Sequence, residues 1–264
     1  MRSKKKIIQI NIPTAWNELT DRQLFRLAAV MYSSKSGKAL YVAVWMILVN
    51  VRWWQFRKMG KNLRILSEVP MWDLAESFGY IFTNRNLTRF PNGIRDNSGH
   101  LHFPPQVALG DLTIEEYALA VDLHDMFMEN KDTEYLQMIA AILYSPLGLG
   151  RRALDRSALP HLSDSFSKVP KEQLFAISLA LSGSRAAIEN RFKKAFERKT
   201  PTAEKLDRPA KPKQSLAEVI RAMTQGDLSK YKEICHVNVY VFMAQFQQDI
   251  VTAKENKLKS RNAK

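Results

Sequence analysis

The histidines at positions 100 and 102 are the residues whose type and spacing most suggest metal chemistry. On a strand, His100 and His102 would project from the same face, because side chains alternate along a strand. A zinc site needs three or four ligands, however, and neither Asp96 nor Cys235 lies at a spacing that completes one. The sequence therefore predicts no bound metal ion, and we expect no cofactor.

Other catalytic patterns are also incomplete. A di-metal carboxylate site places Glu three residues before His on a helix, but Val121 occupies that position relative to His124. The pair Gly37 and Lys38 lacks the earlier glycine of a phosphate-binding loop, and no Ser or Thr follows it. No Ser/His/Asp, Cys/His or paired-carboxylate set has catalytic spacing, although such sets also assemble from distant residues. These observations predict a protein that is not an enzyme and has no catalytic residues.

The basic residues of the chain are concentrated at its ends and in one internal segment. The net charge is +14, and residues 2–6, 198–214 and 254–264 supply most of it. Basic flexible segments bind polyanions, and they also keep a protein soluble without binding anything. The candidate polyanion contacts are Lys4, Lys5, Lys6, Lys211, Lys213, Lys257, Lys259 and Arg261.

Between these ends the charge is polarised. A basic cluster spans residues 52–64, whereas residues 111–134 carry eight acidic residues and one lysine. Oppositely charged faces steer proteins towards each other. The two clusters therefore favour self-association.

The longest apolar run, residues 39–51 (ALYVAVWMILVNV), must position the other elements. A helix that spans a bilayer needs about 20 apolar residues, so this run is too short and no membrane span is expected. A short run that is apolar nearly all round is instead typical of a buried helix. We predict a mainly α fold: a multi-helix bundle around a central apolar helix at residues 39–51. The helix that contains this apolar run is expected to end at Gly60.

Capping signals predict two of the surrounding helices. Thr20 with Gln23, and Thr113 with Glu116, are capping boxes that begin helices at residues 21–32 and 113–129. A small irregular insertion, residues 79–110, is rich in Asn, Gly and Pro and predicts a hairpin of residues 87–90 and 100–103. Because exposed loops often carry specialised surfaces, this insertion is a candidate contact loop.

The chain is predicted to have two helical parts joined by a linker. Residues 1–198 form a helical domain that contains the insertion, residues 199–214 a basic linker with three prolines, and residues 215–264 a C-terminal helical module with a basic tail. A module this small exposes its apolar stripe unless it packs on the main domain or on another protein. The candidate partner interface is Phe90, Phe103, Phe242 and Phe246.

Three short motifs carry a family likeness: Trp16-x-x-Leu19-Thr20, residues 110–117 (GDLTIEEY) and residues 136–144 (LQMIAAILY). They resemble a group of poorly characterised helical proteins encoded in prophage-like regions. Residues 216–246, with MTQGD at 223–227, are similar to the C-terminal end of some phage tail-assembly or virion-assembly proteins. The resemblance implies an assembly or interaction role and carries over no catalytic residue.

Two classes of function follow. The first is a non-enzymatic assembly or interaction protein of a phage or mobile element, which binds other structural or assembly proteins and associates with itself. The alternative is an accessory protein that binds nucleic acid through the basic termini and linker. Because Cys235 is the single cysteine, a reducing compartment is expected, which fits the cytoplasm of a bacterial host or a virion.

Overall fold

The computed structural model describes residues 12–33, 36–50, 55–83, 86–146, 154–196, 216–224 and 227–262. Within these ranges the chain is mainly helical and contains one small antiparallel sheet, so the predicted fold class is confirmed. The helices are α1 (Asp21–Met31), α2 (Gly37–Leu48), α3 (Phe56–Glu68), α4 (Met71–Phe78), α5 (Tyr80–Thr83), α6 (Ile114–Asn130), α7 (Glu134–Leu143), α8 (Leu159–Asp164), α9 (Lys171–Arg191), α10 (Lys193–Phe196), α11 (Leu216–Thr224), α12 (Leu228–Cys235) and α13 (Val239–Asn262). None of the described helices combines the length and apolarity needed to cross a membrane.

Helix α1 begins at the predicted capping box. The Thr20 hydroxyl accepts a hydrogen bond from the Gln23 amide, and the Gln23 side-chain oxygen accepts one from the Thr20 amide at 2.9 Å. The buried Gln23 side chain also donates to the carbonyl of Leu48 at 2.9 Å. One residue therefore caps the start of α1 and satisfies the end of α2, which fixes the two helices relative to each other.

Helices α6 and α7 form the antiparallel pair that the short connection suggests. Thr113 and Glu116 make the second predicted capping box at the start of α6. Lys131 ends α6 in a left-handed conformation with φ of 60°, and its amide donates to the carbonyl of Phe127 at 2.8 Å. A left-handed residue at this position turns the chain sharply, so α7 returns along α6.

The central position in the bundle belongs to α9, which corrects the prediction for residues 39–51. Helix α9 packs against α1, α6, α7 and α10. Ten of its residues are buried, whereas α2 buries only Val44, Trp45, Ile47 and Leu48, and Ala39 is exposed. Half of the residues that α9 buries are small: Ala176, Ser178, Ala180, Gly183 and Ser184. Small side chains let neighbouring helices approach closely, which suits a helix that packs against several others.

Helix α3 contains Gly60, so the prediction that Gly60 ends a helix is wrong. The helix runs from Phe56 to Glu68 without a break at this residue. A glycine inside a helix costs about 1 kcal/mol relative to alanine. Burial on one side of the helix, where Ile65 reaches the core, compensates for a cost of this size.

The sheet is built from β1 (Ile94–Arg95), β2 (Leu101–Phe103) and β3 (Ser145–Pro146) in the order β1-β2-β3. The second predicted strand is confirmed, but the first lies at β1 and not at residues 87–90. Asp96 decides the register, because its side chain accepts hydrogen bonds from the amides of Ser98 and His100 at 2.9 Å and so forms the turn itself. The strands are therefore joined by a turn of only a few residues.

The C-terminal helices pack directly on the rest of the chain. The amide of Ile114 donates to the carbonyl of Val237 at 2.8 Å, and the amide of Val239 donates to the carbonyl of Leu112 at 3.0 Å. The Asn238 side chain donates to the carbonyl of Gly110 and also accepts from the amide of Tyr240, both at 2.9 Å. Residues of α11 and α13 share one apolar cluster with the N-terminal helices. The predicted linker, residues 199–214, lies outside the described residues.

Candidate functional site

An open groove lies on the solvent side of α1, beside the first turn of α9, with a volume of about 530 Å³. It is lined by Arg22, Phe25, Arg26, Ala29, Glu172 and Gln173. We call this site the arginine groove. It is concave, and its lining combines apolar and charged side chains.

Helical periodicity places the α1 residues in the arginine groove. Leu24, Leu27 and Ala28 are fully buried and form the inner face of α1. Positions 22, 25, 26 and 29 fall on the opposite face, because residues three and four apart are neighbours on a helix. Pro170 directly precedes α9, so Glu172 and Gln173 stand in the first turn of that helix. Two packed helices therefore build the groove from residues far apart in the chain.

The two arginines of the groove lack a neutralising partner within the described part of the chain. No ion pair joins Arg22 or Arg26 to a carboxylate there, although Glu172 lines the same groove. Burial, and secondly the charge of Arg22, lower the pKa of Arg26. Two guanidinium groups one turn apart repel each other, and an anion placed between them would relieve that repulsion.

Three arginines elsewhere in the described part of the chain are paired with carboxylates. Arg89 lies 2.6 Å from the carboxylate of Asp21. Arg185 lies 2.7 Å from the carboxylate of Asp125, and Arg156 lies 2.7 Å from that of Glu115. These paired arginines join separate segments of the chain and serve the fold. Arg22 and Arg26 form no comparable ion pair among the residues that the structure describes.

A second surface lies at the turn between α6 and α7, where apolar and acidic side chains are exposed together. Met126 and Met128 are 45% and 40% exposed. The acidic side chains of this turn, Glu129, Asp132 and Glu134, are also exposed. We call these five residues the acidic tip. Flexible methionines beside carboxylates are suited to an adaptable protein contact.

Several acidic residues of the predicted acidic face, residues 111–134, contact other parts of the chain. Fewer of them are therefore exposed to a partner than the sequence alone predicts. Glu115 and Asp125 form the ion pairs described above, and Glu116 is buried in its capping box. The exposed acids concentrate in the acidic tip. The predicted basic cluster remains on the surface where it is described: Arg57, Lys58 and Lys61 of α3 are exposed, and Arg64 lies 2.6 Å from Glu68.

The four phenylalanines predicted as a partner interface do not form one surface. Phe90 and Phe242 are only 3% and 4% exposed, so they belong to the core, and their assignment to a partner surface is wrong. Phe103 is 39% exposed at the end of β2, and Phe246 is half-buried against Phe242, with ring centroids 6.0 Å apart. The apolar stripe of α13 is therefore mostly covered by the chain itself.

The candidate polyanion contacts fall mostly outside the described residues. This is the case for Lys4, Lys5, Lys6, Lys211 and Lys213. Positions 257, 259 and 261 lie in the last turns of α13, and the side chain of Lys259 is exposed. Whether Lys257, Lys259 and Arg261 contact a polyanion stays a prediction.

A buried polar network joins three helices, and spacing along the chain does not reveal it. The hydroxyl of Ser178 lies 2.7 Å from that of Tyr32 and 3.0 Å from Nε2 of His124. This Ser/His pair resembles a nucleophile with its base, but Ser178 is fully buried and His124 is 6% exposed. A substrate cannot reach the hydroxyl in this conformation. The network instead satisfies polar groups inside the core.

This network makes stability depend on pH. Burial lowers the pKa of His124 to about 4. The unfolded imidazole binds its proton near pH 6.5, so stability is complete above that pH and falls as the pH drops from about 6.5 to about 4. The full loss is about 3 kcal/mol. We expect His124→Gln to lose less stability than the wild type between pH 7 and pH 4, as measured by urea unfolding; equal losses would contradict the buried neutral histidine.

The two histidines first considered for a metal lie on either side of one carboxylate. Asp96 Oδ2 is 3.0 Å from Nε2 of His102 and 3.3 Å from Nδ1 of His100. Although burial raises the pKa of Asp96, hydrogen bonds from His102 and from the amides of His100 and Ser98 outweigh it and bring that pKa to about 2. Across the described ranges, no group of three or more His, Cys, Asp or Glu side chains is arranged to hold a metal ion. In this position Asp96 organises the hairpin turn.

Comparison with known proteins does not assign the chain to a family. No protein-family model, no curated protein and no solved structure matches the chain.

Proposed function

We propose that the chain is a non-enzymatic assembly or interaction protein of a phage or mobile element, of the tail-assembly or virion-structural type. Its activity is to bind acidic surfaces of partner proteins through the arginine groove. In this role it works in the cytoplasm of a bacterial host or in the virion.

The observation that carries this proposal is a pair of arginines that form no ion pair with any described residue and that lie beside an apolar side chain. Arg22 and Arg26 flank the half-buried ring of Phe25 in a concave site. Arginine is enriched in protein interfaces because its planar guanidinium binds carboxylates through two hydrogen bonds. An apolar side chain next to such charges adds the contact area that anchors a partner. The motif resemblance described above supports the same role.

The test is co-purification of the full chain with the products of the genes that flank its own. We expect the wild type to retain at least one flanking product through size-exclusion chromatography. The double variant Arg22→Glu with Arg26→Glu should lose that product, because the groove then repels acidic surfaces. A matched control, Lys58→Glu with Lys61→Glu, makes the same change of charge on α3 and should retain the product. A wild type that retains none, or equal retention by both variants, contradicts the proposal.

A second candidate function, nucleic-acid binding, is favoured by the surface of α3. Arg57, Lys58 and Lys61 are exposed there, and no ion pair neutralises them within the part of the chain that is described. Basic side chains spaced along a helix contact phosphates, and such binding weakens steeply as salt rises.

The same two variants separate this function from the first. If α3 binds nucleic acid, Lys58→Glu with Lys61→Glu should reduce both the affinity for duplex DNA and its salt dependence, measured by fluorescence anisotropy. The arginine-groove variant should then bind DNA as the wild type does. Affinity that does not change with salt, or with the charge of α3, excludes nucleic-acid binding by this helix.

A further inference from the structure

The surface chemistry of the arginine groove defines what it can bind. Arg22 and Arg26 favour anionic groups such as carboxylates, and the exposed atoms of Phe25 and Ala29 favour apolar atoms between those groups. A small inorganic anion would satisfy the charges but leave the apolar part of the groove wet. The fitting ligand is therefore a protruding protein segment that carries both kinds of group.

The acidic tip of the same chain has this combination. Its exposed methionines supply flexible apolar atoms, and the carboxylates of Glu129 and Glu134 stand on either side of the turn between α6 and α7. The tip is convex because it is the turn of a helical hairpin, whereas the groove is concave. The three carboxylates of the tip outnumber the one exposed lysine of the turn, Lys131, so charge, apolar content and shape are complementary between these two surfaces.

The groove and the tip lie in neighbouring parts of the molecule. Tyr32 directly follows α1, and its ring centroid is 5.7 Å from that of Phe127, near the end of α6. Tyr32 also stacks on Phe175 in the second turn of α9, with centroids 4.6 Å apart. In a two-fold dimer each surface meets its complement on the other copy, so both contacts form twice.

We propose that the arginine groove binds the acidic tip of a second copy of this chain, in a two-fold symmetric dimer. This proposal rests on the proposed function, since it names a second copy as one protein that the groove binds. The dimer places Glu129 and Glu134 of one copy at Arg22 and Arg26 of the other. Because these charges lie at an exposed surface, the affinity of the dimer falls as salt rises.

Charge reversal with rescue tests the dimer in the full chain. We expect sedimentation velocity to show a dimer for the wild type and a monomer for Arg22→Glu with Arg26→Glu. The double variant Glu129→Lys with Glu134→Lys should also be a monomer. Juxtaposed like charges weaken association by about a hundredfold or more. The control Lys58→Glu with Lys61→Glu should remain a dimer.

An equimolar mixture of the two monomeric variants is the decisive sample. One variant has an acidic groove and an acidic tip, and the other has a basic groove and a basic tip, so both contacts are restored in the mixed dimer. Circular dichroism establishes that each variant is folded. A dimer in the mixture supports the proposal, and folded variants that stay monomeric when mixed overturn it.

The wild type separates failure of this inference from failure of the proposed function. A wild type that is monomeric at all accessible concentrations overturns the dimer. If that monomer still retains a flanking gene product through the arginine groove, the proposed function stands. If it retains none, both proposals fail.

Discussion

An aspartate in place of Ile177 is expected to leave the chain unfolded at 25 °C. Ile177 is fully buried in α9, the helix that packs against α1, α6, α7 and α10. A carboxylate there loses its hydration and gains no partner, which costs several kcal/mol, and the lost isoleucine side chain adds to this cost. The sum is comparable to the whole stability of a typical domain. Circular dichroism and the sedimentation coefficient would report the loss of helix and of compactness.

The matched control is Val42→Asp in α2. Val42 is half-buried, so an aspartate at this position keeps access to water, and the chain should fold with a smaller loss of stability. Together the variants test the full burial of Ile177 on α9 and the partial exposure of Val42 on α2. If Val42→Asp unfolded the chain and Ile177→Asp did not, the burial described for both helices would be contradicted. Residues 39–51 would then again be the better candidate for the central helix.

Replacing Phe242 by alanine should destabilise the fold by about 3–5 kcal/mol, because the change empties a buried aromatic site. Phe242 is 4% exposed and contacts Phe246 on α13. If this residue were a partner contact, the variant would instead keep its stability and lose binding. Urea unfolding of the isolated chain measures the free energy of unfolding of the variant and of the wild type. Equal m-values show that the two unfolding transitions can be compared.

Val241→Ala is the control for this variant, because it truncates the neighbouring side chain on the same helix. Val241 is 62% exposed, and a surface change of this kind costs about 0.5 kcal/mol or less. Equal stability of the Phe242 and Val241 variants would contradict the core position of Phe242.

Local signals in the sequence predict the parts of the fold that depend on neighbouring residues. The Thr20/Gln23 and Thr113/Glu116 boxes mark helix starts because both hydrogen bonds lie within one turn of the backbone. Residues 174–181 of α9 (LFAISLAL) are also almost wholly apolar, so the sequence contains two candidates for the central helix, and only their packing shows that α9 is the central one. The first strand lies at β1 because the turn is short and forms at residues 96–100, where the Asp96 side chain accepts from the amides of Ser98 and His100.

The candidate site could be predicted only in part. The polarised charge of residues 52–64 and 111–134 is visible in the sequence, but the structure reveals which charges are already paired. Arg22 and Arg26 resemble the outer face of any amphipathic helix until the start of α9 is placed beside them. Likewise, Phe90 and Phe242 have the composition of an interface, and only the fold shows that the chain itself covers them.

The reaction rate of a single thiol placed in the arginine groove tests most directly whether a bound protein covers the groove. Ala29 is exposed in the groove. The natural thiol of Cys235 is 3% exposed and reacts slowly, because burial also raises its pKa. Ala29→Cys therefore places one accessible thiol there, and Thr252→Cys on the exposed part of α13 is the control. We predict that a bulky maleimide modifies position 29 at least about tenfold more slowly in the assembled protein than in the dilute chain, while position 252 reacts equally in both. Equal rates at position 29 in the two states would contradict a binding role for the arginine groove.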